Sequence, residues 1–370
     1  MSGELVPFPK PLVGITSDVA LQMAERTLSL SGEERSRLAA ELHLGEPETL
    51  LAICQLLDKQ MEASPLKTRD DARWAYELLR SDSSQSFLFD EREYYLGELS
   101  LLAGTASRFL GDQDEARTWF DRSETWFLLT VNATGDIARV GYQRLAVRME
   151  QREFEEVIVL AAPLREVFLR AGSRENALKC RYLEAACLKE MDRLAQSLEI
   201  FEAVAEEAKA IGSDRMLSPA LVSIIQVHSE LGDTDKAFAL TIAAAPVLRE
   251  SKNRVSLAKL QWGLANLLRQ TGRIAESIGA FRSAQHEFQE IGLRGDVAAV
   301  HLILADLLLE SDQERQAEWE IRAALPIIDE LKMVPEGFAA MSLLRESIRR
   351  RSIDRQALRS LHGYFEELGS

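Results

Sequence analysis

The chain carries no recognisable catalytic signature. None of H-E-x-x-H, G-x-x-x-x-G-K-[ST], G-x-G-x-x-G or G-x-S-x-G occurs in its 370 residues. This argues against the common zinc-hydrolase, phosphate-loop, dinucleotide and serine-hydrolase sites. The five histidines, His43, His228, His286, His301 and His362, are too scattered to suggest a metal cluster. His228 and His301 fall near packing positions of helices and read as hydrogen-bonded structural residues. The three cysteines, Cys54, Cys180 and Cys187, include no C-x-x-C pair, so they read as buried thiols in a reducing compartment. The uncharged stretch near Ala237 to Leu248 is too short to span a bilayer and contains Pro246. The N-terminus MSGELVPFPKPLVGITSD has no basic segment followed by an apolar core, so no secretory signal is expected. Without export the Asn132-Ala133-Thr134 sequon carries no meaning. The expectation is a cytoplasmic protein with neither metal nor cofactor.

Positive charge is also in short supply. Lys plus Arg number 44 against 59 Asp plus Glu, a formal net charge of −15. Such a chain exerts no global pull on phosphate backbones, which argues against nucleic acid as the main partner. The carboxylates recur at helical spacing with Lys and Arg, the pattern of a solvated helix face rather than of an acid–base pair. Aromatics make up only 7% of residues, and Ala, Leu and Glu are abundant, as in an all-helical chain.

What the sequence has is repetition. The stretch 255–297 reads as a helix, a tight turn at Gly272 and a second helix. Ala265 stands seven residues before that glycine, and Ser277, Phe281 and Ala284 stand five, nine and twelve after it. Sliding this template along the chain places the turn at Gly111, Arg152, Asp192, Gly232, Gly272, Asp312 and Ser352, separated by 41 and then by 40 five times. Small residues dominate five after the turn (Ala116, Val157, Ser197, Ala237, Ser277, Ala317, Ala357), and large ones nine after it, with Phe120, Phe201 and Phe281 the clearest. Unrelated bundle helices would not keep a constant spacing. A small residue lets two antiparallel helices approach, and the Phe fills the gap between neighbouring hairpins. One hairpin cannot bury its own apolar face, so the copies must stack.

The LGD turns at 110–112 and 231–233, the small residue five after the turn, the Phe nine after and the Ala twelve after resemble the tetratricopeptide repeat (TPR). Common TPR units are near 34 residues. The longer unit here is similar to repeats in bacterial peptide-sensing regulators, kinesin light chains and large ATPase-type transcription regulators. The resemblance covers residues 98–367 and is specific for fold rather than function. It implies an all-α, right-handed α-solenoid of about seven antiparallel helix hairpins spanning 87–370, preceded by an N-terminal helical segment.

That segment divides into a proline-containing lead-in (1–16) and a helical module (17–86). Within the module, Ser17 or Asp18 should cap one helix and Ser31 a second, Glu46-Pro47 should open a third, and a fourth should run from about Thr68 to Arg80. One period before Gly111 falls Asp71, so a degenerate eighth repeat over 47–81 stands beside a separate module as a reading. SDSSQS (81–86) is the most polar linker. Pro163, Pro246 and Pro326 fall inside second helices, where each removes a ladder bond and bends its helix. Arg345, Arg349, Arg350, Arg351, Arg355 and Arg359 crowd the last hairpin, either as the polar face of a capping helix or as a basic patch.

The resemblance also implies where a partner would sit. First helices line the concave face, with the residues ten, six and three before each turn facing the groove. Those positions bring Tyr142, Tyr182 and Trp262 to the middle, Gln226 and Asn266 beside them, and Arg108, Lys189 and Arg269 as cations. The set suits an extended peptide or a partner helix: aromatics give contact area, amides bond the backbone, and cations engage carboxylates. Each aromatic has a second reading, packing against the adjacent repeat. The expected function is a non-catalytic scaffold or regulator that holds another protein or a peptide. The alternative is a peptide-sensing receptor whose superhelix changes pitch, and an enzyme is a remote third.

Overall fold

Every expected turn that falls within the described residues adopts the left-handed backbone conformation on which this repeat depends. The computed structural model describes residues 17–30, 32–41, 47–61, 64–81, 87, 90–250 and 253–331, with isolated positions from 337 to 344. The expectations for the lead-in, the Ser31 cap, residues 82–86, the Ser352 turn and the C-terminal arginines lie outside them.

At the turns, φ is 80° at Gly111, 64° at Arg152, 59° at Asp192, 81° at Gly232, 74° at Gly272 and 53° at Asp312. Each closes the helix before it in the same way. At Gly272, for example, its own N–H donates to the Arg269 carbonyl at 3.0 Å and the Arg273 N–H reaches back to Leu268 at 2.9 Å. This paired closure satisfies carbonyls that the helix end would otherwise leave bare. The inter-repeat loops repeat the device at Gly172, Gly212 and Gly292, with φ of 71°, 68° and 79°.

By its own packing the chain divides into two compact units, residues 1–217 and 218–370. The first opens with α1 (Asp18–Ser29), α2 (Gly32–Glu41), α3 (Pro47–Gln60) and α4 (Pro65–Ser81). Three hairpins follow: α5 (Glu91–Phe109) with α6 (Gln113–Phe127), α7 (Thr134–Glu150) with α8 (Phe154–Arg170), and α9 (Arg174–Glu190) with α10 (Leu194–Ala210). The unit also takes the first turn of α11 (Asp214–Glu230). The second unit holds the rest of α11 with α12 (Thr234–Glu250), then α13 (Arg254–Gln270) with α14 (Ile274–Ile291), and α15 (Arg294–Glu310) with α16 (Glu314–Glu330). No strand occurs among the described residues. No helix among them is long and apolar enough to cross a membrane.

The repeat template describes the core of each hairpin. Ala116, Val157, Ser197, Ala237, Ser277 and Ala317, five after the turn, are all fully buried, as are Phe120 and Phe281 nine after it. A further core position, which the sequence template does not include, lies sixteen after the turn. It holds Phe127, Phe168, Ala208, Leu248, Phe288 and Ile328, each at most 1% exposed. Burying each of the larger of these side chains stabilises by roughly 1.5–3 kcal/mol. The first hairpin is tightly packed. A Cβ at Gly104 would lie 2.6 Å from the Phe120 ring, so α5 and α6 approach closer there than any larger residue allows. After α6 a longer connection, residues 128–133, makes the first spacing 41 rather than 40.

At the N-terminus Ser17 caps α1 as expected, its hydroxyl accepting from the Ala20 N–H at 3.2 Å. Asp71, one period before Gly111, falls within the expected fourth helix. That helix, α4, begins at Pro65, and the buried Asp71 carboxylate accepts from Arg35 at 2.6 Å and Lys67 at 2.5 Å. Two cations neutralise it within a continuous helix, so nothing at this position calls for a break. Helices α1, α3 and α4 share one apolar core with α5 and α6, built on Leu28, Ile53, Leu57, Leu79, Leu99 and Trp119. Pro163, Pro246 and Pro326 fall inside α8, α12 and α16, and Pro219 inside α11.

Candidate functional site

The three groove aromatics rest with one side on their own hairpins and keep part of their surface in water. Tyr182 on α9 lies 5.1 Å from the Phe201 ring of α10. Trp262 on α13 meets Phe288 of α14 edge-on at 5.7 Å. Tyr142 on α7 packs against the core formed by Val157, Ala161 and Cys180, and burial pushes its phenol up to about 12. All three are half-buried. Each ring is thus a packing element with a remaining exposed surface.

The expected cations are committed rather than free. On the first unit, Arg108 pairs with Glu150 at 2.5 Å and lies over the Phe109 ring at 4.5 Å. Lys189 sits 3.4 Å from Glu190. On the second, Arg269 holds Asp306 at 2.7 Å and Glu310 at 3.5 Å, which ties α13 to α15. Ser229 and Gln270 repeat that step from α11 to α13 with a 3.0 Å hydrogen bond. Gln226 and Asn266 are half-buried on the same faces. Leu101, Thr105, Ala146 and Ala186 at equivalent positions are buried.

A second set of charges escapes the groove template. One helical turn before each aromatic stands a cation: Arg139 before Tyr142, Lys179 before Tyr182 and Lys259 before Trp262. That three-residue offset is the signal from which they could be found. Arg139 donates to both oxygens of Glu98, which is fully buried on α5, and lies 3.3 Å from Asp136. Burial first, and then Glu98, pushes the Asp136 carboxyl up to about 6 against the pull of Arg139. Lys179 donates to Asn176 at 3.0 Å, and its nearest carboxylate oxygen, on Glu175, is 4.0 Å away. Burial, with Arg215 nearby, brings its ammonium down to about 8. Arg215, on the first turn of α11, pairs with Asp58 of α3 at 3.4 Å. The first-helix face of the first unit thus carries two tyrosines, an under-neutralised lysine and an ion pair linking residues 157 positions apart.

His228 and His301 are buried in the packing of their hairpins. His228 is buried with Nδ1 3.2 Å from Asp233, and His301 lies between Glu320 and Gln285 at 2.6 and 2.9 Å. The cysteines are free and buried, and burial pushes the thiols of Cys180 and Cys187 up to about 12. No group of three His, Cys, Asp or Glu among the described residues could hold a metal ion.

These features define a TPR-like helical-repeat protein. No protein-family model matches the sequence, and no curated protein matches it. Among solved structures the chain is similar to aspartyl phosphate phosphatase F from Bacillus subtilis, with a TM-score of 0.56 and 12% identity over 83% of this chain and 79% of that one. It is similar to NprR in complex with its cognate peptide NprX, with a TM-score of 0.54 and 12% identity over 90% and 96%. It is also similar to a Rap protein complexed with competence and sporulation factor, with a TM-score of 0.53 and 14% identity over 90% and 99%. At such identities the likeness establishes a common fold.

Proposed function

We propose that this protein is a cytoplasmic, non-catalytic TPR regulator whose first-helix faces hold a partner protein or a peptide. The observation that carries this reading is the recurring cation–aromatic pair, Arg139/Tyr142, Lys179/Tyr182 and Lys259/Trp262, on the first helices of three hairpins. Part-exposed rings already fixed by packing offer contact area at little entropic cost, and adjacent polar groups select what lies against them. Two of the similar structures, NprR with NprX and Rap with competence and sporulation factor, are complexes, which supports a ligand on this fold. Another is a phosphatase by name. The non-catalytic reading rests on the sequence, in which none of the common catalytic motifs occurs.

The test replaces Tyr182 and Trp262 with Ala and compares affinity capture of partners by mass spectrometry. Loss of a wild-type partner while helicity and melting persist is the expected result. Unchanged capture moves the binding face elsewhere.

A second reading, a peptide receptor that changes conformation, is favoured by the Asp58–Arg215 pair. It joins α3 to α11 beside Lys179, so a ligand on that face would meet it. A thermal-shift screen of short peptides separates the two, because a receptor is stabilised by its one ligand through mass action. The Asp58→Asn variant should then change the midpoint at which that ligand acts.

A further inference from the structure

Of the five tryptophans, only Trp319 is left largely in water, at 62% exposed. It stands on α16, seven residues after the Asp312 turn. The same position in the earlier hairpins holds Thr118, Val159, Glu199, Ala239 and Gly279, every one of them exposed. Packing of the repeat therefore asks nothing of this site, and an indole there costs solvation with no return from the core.

The ring is nevertheless held in place. It lies edge-on to His301 at 5.9 Å and 64°. His301 is itself buried and pinned to Glu320 at 2.6 Å and Gln285 at 2.9 Å. An exposed aromatic already restricted in rotamer loses little entropy when something settles on it.

Its surroundings are cationic on a chain of formal charge −15. Arg315, one helical turn before it, is exposed and has no ion-pair partner among the described residues. Arg282 on α14 is exposed as well, and its only partner among them is the Gln316 amide oxygen at 3.2 Å. Arg322, one turn after Trp319, is held by Glu318 at 2.7 Å. One turn before Arg282, Gly279 is exposed, with open space where a Cβ would be. The face thus combines an oriented indole and two arginines without a carboxylate. It belongs to second helices, not to the first-helix faces described above.

We propose that this face of the second unit docks an acidic segment of a partner protein. Carboxylates would engage Arg282 and Arg315, and an apolar side chain would lie on Trp319. Trp and Arg together are the residue types that most often carry interface energy, and arginine binds carboxylates in two-pronged fashion. The surplus of positive charge favours an acidic occupant over a neutral one.

The experiment uses a fluorescein-labelled peptide of Glu-Glu-Leu-Glu units, and a twin with Gln in place of Glu, titrated into the full chain by fluorescence anisotropy. Wild type is expected to bind the acidic peptide and not the twin, more weakly as salt rises. Trp319→Ala and the double variant Arg282→Glu, Arg315→Glu are expected to weaken binding by roughly tenfold or more, with Trp319→Phe intermediate. Thermal melting of each variant shows that the fold is intact. No binding of the acidic peptide, equal affinity across the variants, or equal binding of the twin overturns the proposal. So does a single-stranded DNA oligonucleotide that competes as well as the peptide, or self-association that Trp319→Ala abolishes. Because none of these variants touches the first-helix faces, failure here leaves the reading of Tyr182 and Trp262 standing.

Discussion

The Ser277 hydroxyl donates to the backbone carbonyl of Ala265 across the two arms of its hairpin at 2.8 Å. Two repeats earlier Ser197 does the same to Ala185, again at 2.8 Å. Both serines are fully buried, and the equivalent position in the other described hairpins holds Ala116, Val157, Ala237 and Ala317, none larger than valine. Volume rather than the bond therefore sets the requirement. Ser277→Ala should cost only about 0.5–1.5 kcal/mol, the net worth of one neutral hydrogen bond. Ser277→Leu should cost about 1–3 kcal/mol or more through overpacking. Denaturant midpoints of the two variants check the order, and a larger loss for Ala would mean that the bond matters more than the space.

Arg152, at φ 64°, occupies a turn where the other described repeats have glycine or aspartate at similar angles and none has a long side chain. A left-handed conformation costs a residue with a Cβ about 1–2 kcal/mol. The cation over the Phe154 ring at 5.5 Å returns part of it, and glycine would cost chain entropy in the unfolded state. The balance favours glycine, so Arg152→Gly should raise stability by about 0.5 kcal/mol. A fall in the melting midpoint would show that the Phe154 contact outweighs the strain.

The hairpins were legible because they recur. Gly111, Gly232 and Gly272 mark the turns directly, and a fixed spacing then places the left-handed residue at Arg152, Asp192 and Asp312, where no glycine announces it. One period before Gly111 the pattern no longer marks a turn, since Asp71 lies within α4 and a period says nothing about where the array starts. The core position at Phe127, Phe168 and Phe288 recurs too, yet Ala208 and Leu248 break its aromatic signature. On the candidate face, Tyr142, Tyr182 and Trp262 follow from what the tetratricopeptide resemblance implies about positions before each turn. The commitment of Arg108 and Arg269 to ion pairs does not, because Glu150, Asp306 and Glu310 sit on the next hairpin among many similar acids. Asp58 with Arg215 follows no period at all, being made by the packing of α3.

Asp136 sets a pH dependence whose sign follows from its burial. Desolvation raises its carboxyl from 3.8 to about 6, so the folded chain binds that proton more tightly than the unfolded one. Stability contributed by this group is present below about pH 4 and is lost as pH rises to about 6. Asp136→Asn removes the charge at nearly constant volume. It should stabilise the protein by about 1–2 kcal/mol at pH 7, since each tenfold change in proton affinity is worth about 1.4 kcal/mol and part is returned by the weakened contact with Arg139. The difference between variant and wild type should vanish on titration to pH 4. A difference independent of pH would mean that Asp136 carries no raised affinity for its proton.

Lys179 offers a chemical readout on the candidate face itself. Burial, reinforced by Arg215, lowers its ammonium from 10.5 to about 8, while 23% of the side chain stays open to reagents. A fully solvated lysine is almost wholly protonated at pH 8, whereas about half of Lys179 would be free amine there. Limited acylation at pH 8, read residue by residue by mass spectrometry, should therefore label Lys179 ahead of solvated lysines despite its poorer access. Its rate should follow a titration centred near 8. Arg215→Gln removes a neighbouring positive charge and should shift that centre upward, slowing the labelling. Asp58→Asn removes a negative one and should shift it downward. Movement of both variants in the same direction would mean that access rather than charge controls the amine, and the ionic link from α3 to α11 would then have no hold on this face.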